Sequence, residues 1–234
     1  MTWREEALAH AIEEAPSESC GLLIVLKGKK RYWPCKNLSL DKCDLFLIDP
    51  DDWVRAEEAG EVIAVFHSHP NSSPDASRAD LVGCEASGLP WEIVNPATGE
   101  WNSIEPCGYK MPLIGRPWIW GVADCWTLVR DWYAEQGIDL PDWERPRTRE
   151  DFAKAPMFDG LWKEAGFREL KDDESLEVGD MLLLDFCGSI NHVAVLVEPQ
   201  KILHHHHGRL SSRDNYSELL LKCTQRRLRH ASQD

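Results

Sequence analysis

Between Glu105 and Pro117 the chain carries Pro106, Gly108, Pro112, Gly115 and Pro117. Helices and sheet interiors do not tolerate that density of breakers, because proline lacks the amide donor and glycine adds backbone freedom that ordering must remove. The stretch reads as a linker over 105–117, with one domain over 1–104 and a second over 118–234. In a chain of 234 residues each part is long enough to bury its own core.

Each part mixes helix and strand patterns, so the expected class is α+β. Trp3, Ala7, Leu8, Ala11 and Ile12 recur at helical spacing up to Pro16, which predicts an amphipathic helix over 3–14. Cys20 to Leu26 is a short apolar strand, and Lys27-Gly28-Lys29 turns it into a hairpin partner at Arg31 to Pro34. Leu45 to Ile48, Val62 to Phe66, Trp91 to Val94 and Trp101 to Ile104 read as further strands, and Asp49-Pro50 opens a helix through Glu58. In the second part, Asp124 to Gln136 and Phe158 to Ala165 read as helices. Met181 to Phe186, Val193 to Val197 and Leu219 to Leu221 read as strands.

The formal net charge of -14 argues against nucleic acid as a partner, since non-specific binding to phosphates needs Lys and Arg. The basic cluster Arg226-Arg227-Leu228-Arg229 is too short to reverse this and reads as a solvated tail. No apolar run approaches the ~20 residues of a membrane span, so no membrane insertion is expected. Met1 to Glu6 lacks the apolar core of a signal peptide, which implies a protein made in cytoplasm. Cys20, Cys35, Cys43, Cys84, Cys107, Cys187 and Cys223 read as mostly reduced, buried residues, and one further cysteine stands apart from them.

His67 and His69 lie two apart at the end of an apolar strand, so both side chains leave one face and can grip one ion. Asp80 offers a third, oxygen ligand. Two histidines, a carboxylate and a water make an open tetrahedral site for zinc (Zn2+), which lowers the pKa of the water to about 7. Glu18, at the mouth of the first strand, is the candidate proton shuttle, and the Ser77 hydroxyl a candidate donor to an oxyanion. Ser77-Arg78-Ala79-Asp80 equally has the form of a helix N-cap. Glu18, then His67-Ser68-His69, seven residues, Ser77, two residues and Asp80 together resemble the motif of the JAMM (Mov34/MPN/PAD-1) metalloprotease family. The resemblance covers roughly residues 1 to 104. It implies a β-sheet flanked by helices, metal ligands at His67, His69 and Asp80, a catalytic Glu18, and zinc-dependent hydrolysis of isopeptide or related amide bonds.

Cys125 follows Asp124, the expected N-cap, and opens a helix whose dipole and free amides are expected to stabilise a thiolate. His192 begins an apolar strand as the candidate base, and His204, after a turn at Glu198-Pro199-Gln200, is expected beside it on the next antiparallel strand. The segments Gly115-Arg116-Pro117-Trp118-Ile119-Trp120-Gly121, Asp124-Cys125-Trp126-Thr127 and Asn191-His192-Val193 resemble the NlpC/P60 cysteine peptidases. By that resemblance the second domain is papain-like α+β, Cys125 is the nucleophile, His192 the base and His204 the third, polar member. Trp126-Thr127 stands where that family usually has Ser-Gly, and Trp118 where it often has Tyr. His205, His206 and His207, which complete the run begun at His204, read as solvent-exposed turn residues.

The two modules in this order resemble the tail-tip assembly proteins of lambda-like tailed bacteriophages. That resemblance implies phage tail-tip proteins as partners, peptidoglycan peptides as substrate, and a site of action in the host cytoplasm, with later carriage at the tail tip to the cell wall. The competing expectation is an assembly factor whose peptidase sites are incidental or act once on a tail protein.

Overall fold

The computed structural model describes residues 1–146, 149–154, 157–186 and 188–233, so Cys187 lies outside the described residues. The chain divides into two units, Met1–Lys110 and Met111–Asp234. The breaker-rich stretch is anchored on either side of that division. The amides of Cys107 and Tyr109 donate to Glu85 Oε1 at 2.6 and 2.8 Å. The buried Arg116 guanidinium donates to the carbonyls of Met111 and Pro112 and to Asp131.

The first unit is built on a five-stranded sheet of order β2-β1-β3-β4-β5. Its strands are β1 (Cys20–Leu26), β2 (Lys29–Cys35), β3 (Glu61–Ser68), β4 (Trp91–Val94) and β5 (Trp101–Ile104). β1 is a continuous apolar run because both its faces are covered. Helix α1 (Trp3–Glu14), started by a reciprocal Thr2–Glu5 capping box, lays Ala7 and Ala11 on Tyr32, Phe66 and Val94. On the other face, α2 (Pro50–Ala59) and α3 (Arg78–Ser87) bring Ala56 and Cys84 onto Cys20, Leu22, Ile24 and Val65. β3 and β4 are parallel, joined by the crossover that contains α3. The C-terminal end of β3 therefore faces the start of a helix, where open α/β arrangements form ligand crevices.

Leu45 to Ile48 does not form the expected strand; its single bridge is Asn37 to Ile48. The Asn37 side chain takes up the backbone groups that a partner strand would satisfy. It donates to the carbonyls of Glu18 and Leu45 and accepts from the amides of Ser39 and Leu47.

The second unit holds an antiparallel six-stranded sheet of order β10-β9-β8-β7-β11-β6. The strands are β6 (Phe167–Glu169), β7 (Met181–Asp185), β8 (Ile190–Glu198), β9 (Lys201–His204), β10 (Ser212–Asn215) and β11 (Thr224–His230). Helix α4 (Cys125–Glu135) packs Leu128, Val129 and Tyr133 onto Met181, Leu183, Val193 and Val195, with α5 (Arg149–Lys154) and α6 (Phe158–Glu164) beside it. The opposite face of the sheet is closed by α7 (Glu218–Cys223). Leu219 to Leu221 is thus helical where a strand was expected. A run so short carries no period that separates the two, and only Leu220 joins the core while Leu219 and Leu221 face solvent.

The basic cluster is likewise a strand in the sheet and not a solvated tail. In β11, Leu228 is fully buried and Arg229 donates from Nε and Nη2 to Asp180 Oδ1 and Oδ2 at 2.8 and 2.9 Å. Asp180 is 1 % exposed, so its removal takes the buried two-point partner from Arg229 and leaves it the Ser175 carbonyl and the largely exposed Glu177. Asp180→Ala is expected to destabilise the second unit by about 3–5 kcal/mol, read as a lower urea midpoint at unchanged slope.

Candidate active sites

In the first unit, β3 ends at Ser68, so His67 is its penultimate residue and His69 follows directly. His67 is fully buried, with Phe46 stacked on its ring at 4.5 Å and the edge of Trp91 at 5.4 Å. The Nε2 atoms of His67 and His69 lie 3.0 Å apart. Asp80 Oδ1 is 3.2 Å from His67 Nε2, and Oδ2 is 3.3 Å from His69 Nε2. A carbonyl only accepts, so the 2.9 Å contact of His69 Nδ1 with the Ser73 carbonyl puts a proton on Nδ1 and turns the Nε2 lone pair to the centre.

Burial works against the charge of Asp80, yet contact with both imidazoles outweighs it and holds the carboxyl well below the usual range. Two nitrogens and a charged oxygen, with donor atoms all within 4.8 Å of one another, converge on a point that calls for positive charge. The set fits a small divalent cation.

Ser77 and Asp80 show that the two readings of this segment coexist. Ser77 Oγ accepts from the Asp80 amide at 3.1 Å and Asp80 Oδ2 accepts from the Ser77 amide at 2.7 Å, a capping box that starts α3. The same cap holds the Asp80 carboxylate at the histidines. Glu18 is buried just before β1, and that burial pushes its carboxyl up to about 8, with His69 and Asp80 as its largest charged influences. A pair missed in the sequence fixes it there. The Ser19 amide and hydroxyl both donate to Ser68 Oγ, at 2.9 and 3.0 Å, lacing the start of β1 to the end of β3.

In the second unit, Cys125 is the first residue of α4 and Asp124 its N-cap. Asp124 Oδ1 accepts from the Thr127 amide at 2.9 Å, and Thr127 Oγ1 accepts from the Asp124 amide at 2.8 Å. Arg145 forms a buried ion pair with Asp124 at 2.9 Å. The stabilisation expected of the helix start is opposed here by burial. Burial, followed by the adjacent Asp124 charge, pushes the Cys125 thiol up to about 12, and the favourable hydrogen bond from the Val193 amide is the smaller influence.

Cys125 and His192 line one cavity of about 470 Å³ with Trp118, Trp120, Phe152, Phe158 and Phe186. Trp118, one of the two departures from the family pattern, faces this cavity. Trp126 does not: it is buried against Trp143, with ring centroids 4.8 Å apart. Strands β8 and β9 form the hairpin that sets His204 beside His192, with His192 Nε2 3.2 Å from His204 Nδ1. His204 Nε2 in turn lies 2.8 Å from Asp214 Oδ2. Asp214 was not singled out in the sequence; its only signal there is a polar strand, Ser212 to Asn215, following a histidine-bearing one.

The run after His204 also differs from expectation. His205 is fully buried, its ring packed on Trp118 at 5.1 Å, while His206 and His207 are exposed and line the cavity rim.

Burial, then the neighbouring His204, His206 and His205, lowers His192 well below its ordinary 6.5. A lowered pKa keeps the imidazole neutral, and so able to take a proton, to more acidic pH. The acid limb of kcat/KM for the thiol centre is therefore expected below pH 6.5, with a plateau through the neutral range, as read from a pH–rate profile. A limb above that value would mean His192 is not the base.

Comparison with known proteins follows the same division. Residues 2–106 match the family of prokaryotic homologs of the JAB domain, and residues 115–229 match the NlpC/P60 family. Tail tip assembly protein K of Escherichia phage N15 is 36% identical over 213 residues, covering 89% of this chain and 86% of that protein. Tail tip assembly protein K of Escherichia phage lambda is 34% identical over 184 residues, covering 78% of this chain and 89% of its own length. Among solved structures, an NLP/P60-family protein of Staphylococcus aureus, similar to a lipoprotein, aligns with 98% of this chain and 61% of its own at 14% identity, with a TM-score of only 0.33. By its two domain matches and its identity to these relatives, the chain belongs to the family of the phage tail tip assembly proteins K, with a JAB-type domain followed by an NlpC/P60 domain.

Proposed function

We propose that this protein takes part in building the tail tip of a lambda-like phage and carries two peptidase centres that cut peptide or isopeptide bonds of bacterial peptidoglycan, during tail assembly or genome delivery. The observation that carries the reading is the single cavity holding Cys125 at a helix start and a neutral His192 whose Nε2 is engaged by His204. That engagement leaves His192 Nδ1 for the thiol. Nδ1 takes the thiol proton as Sγ adds to the scissile carbonyl, and the first-turn amides of α4 that the Asp124 cap does not engage, those of Cys125 and Trp126, stabilise the oxyanion. The imidazolium returns its proton to the leaving amine, and water then hydrolyses the thioester. Burial, which pushes the thiol up to about 12, favours transfer of its proton to His192 as sulfur attacks.

In the first unit, His67, His69 and Asp80 would hold zinc, which when bound activates a water and polarises a carbonyl. Glu18, a buried carboxyl beside this set, would hold a proton and give it to the leaving amine, and Ser77 positions the Asp80 carboxylate through the α3 cap. The partners are tail-tip proteins, in keeping with the names of the relatives. The places of action are the host cytoplasm during assembly and the tail tip at the wall during delivery; no described helix is long and apolar enough to cross a membrane.

The test is incubation of the full chain with purified peptidoglycan and, separately, with tail-tip proteins, with products identified by mass. Release of wall peptides that is lost in part on thiol alkylation and in part on chelation supports both centres. Absence of release, with Cys125→Ala still supporting tail assembly, replaces this reading with that of an assembly factor, which the relatives' names favour.

A further inference from the structure

We propose that Asp214 is a positioning residue of the thiol centre: it sets the tautomer of His204 and, through it, that of His192. The inference rests on the reading of Cys125 and His192 as nucleophile and base. Ser212 of β10 stands opposite His204 of β9, and Asp214, two residues on, shares its face. From there its carboxylate reaches His204 Nε2 at 2.8 Å and accepts from Ser212 Oγ at 3.3 Å.

A carboxylate has no proton to give, so Nε2 of His204 carries one, and in the neutral form of the ring Nδ1 is then the acceptor. Facing that acceptor at 3.2 Å, His192 Nε2 must be the donor. The only lone pair left on His192 is then on Nδ1, the nitrogen the thiol needs. Proton positions on two imidazoles thus follow from one anion at the end of the line.

Without Asp214, His204 is free to carry its proton on Nδ1 and donate to His192 Nε2. His192 then holds its proton on Nδ1 and cannot accept another from sulfur. Nothing else in the line makes this choice: the central link is between two imidazoles and works in either direction. The groups facing Asp214 are His204, Ser212 and Arg209, and those facing His192 are His204, His205 and His206. Neighbouring Arg213 pairs with Glu198 instead. Asp214 is half exposed, with 48% of its side-chain surface accessible, so its substitution tests the relay without emptying the core.

The test needs no knowledge of the substrate. In the full chain, the rate of Cys125 alkylation by iodoacetamide is followed by mass of the peptide that carries it, across pH, for the native protein, His192→Ala, Asp214→Asn and Asp214→Glu. Asp214→Asn is expected to slow alkylation about 10- to 100-fold on the neutral plateau, and Asp214→Glu to recover most of the rate. The deficit should vanish as pH rises toward the thiol's own ionisation near 12, where no base is required; a folding defect would not vanish there. If His192→Ala slows alkylation and Asp214→Asn leaves it at the native rate, the relay is wrong and the base reading stands. If His192→Ala itself has no effect, the base reading fails and the relay with it.

Discussion

Cys125→Ala is expected to abolish cleavage by the second domain, by about 10⁴-fold or more, while leaving metal-dependent cleavage by the first domain intact. Removing a nucleophile deletes the covalent route itself, and the imidazole and oxyanion donors left behind retain only residual acceleration over water. The loss is interpretable because Cys125 is small and sits at a helix start capped by Asp124 and Thr127 side chains, which the substitution leaves in place. Thermal unfolding of the variant should therefore shift little. Mass-identified wall fragments, assayed with and without chelator, give the readout. Unchanged thiol-dependent cleavage in the variant would remove Cys125 from the mechanism.

His67→Ala is expected to lower zinc affinity more than about 100-fold, beyond what loss of a group that merely orients a ligand costs. The residue is fully buried and stacked on Phe46, so the variant is also expected to lose stability through the cavity it leaves. Asp80→Asn separates the two effects. An amide oxygen can still accept from the Ser77 amide and keep the α3 cap, yet it brings no negative charge to the two imidazoles. Equilibrium dialysis with zinc should show the fall for both variants, and zinc should raise the unfolding temperature of the native chain alone. Full zinc binding by Asp80→Asn would remove Asp80 from the ligand set and leave it a helix cap, and no zinc binding by the native chain would reduce the cluster to that cap beside two core histidines.

Much of each site was legible because its geometry is local. Residues two apart on a strand share a face whatever the strand packs against, so His67 and His69 were readable as a pair. An N-cap is a matter of adjacent residues, so Asp124, Cys125, Ser77 and Asp80 were placed without a fold, and a short turn suffices to bring His204 back to His192. The failures have equally physical origins. At Leu45 to Ile48 one asparagine side chain replaced a strand partner. At Leu219 to Leu221 a run too short to show a period packed as a helix. The basic strand around Leu228 looked like a tail until its acidic partner, Asp180, was known.

Sequence alone determined the division into two α+β parts, the strand pair His67 and His69, the cap that holds Asp80, the helix-start place of Cys125 and the hairpin that joins His192 to His204, since each depends on spacing along one element or across one turn, whereas Cys125 and His192 stand on separate elements and were paired by family resemblance. Only the tertiary structure decided what surrounds them. Sheet order brings Asp214 to His204, a distant loop brings Arg145 to Asp124, and the packing of α4 on the sheet buries Cys125 and so pushes its thiol up. Those outcomes depend on which elements become neighbours and how much water their contact excludes, and no local spacing records either.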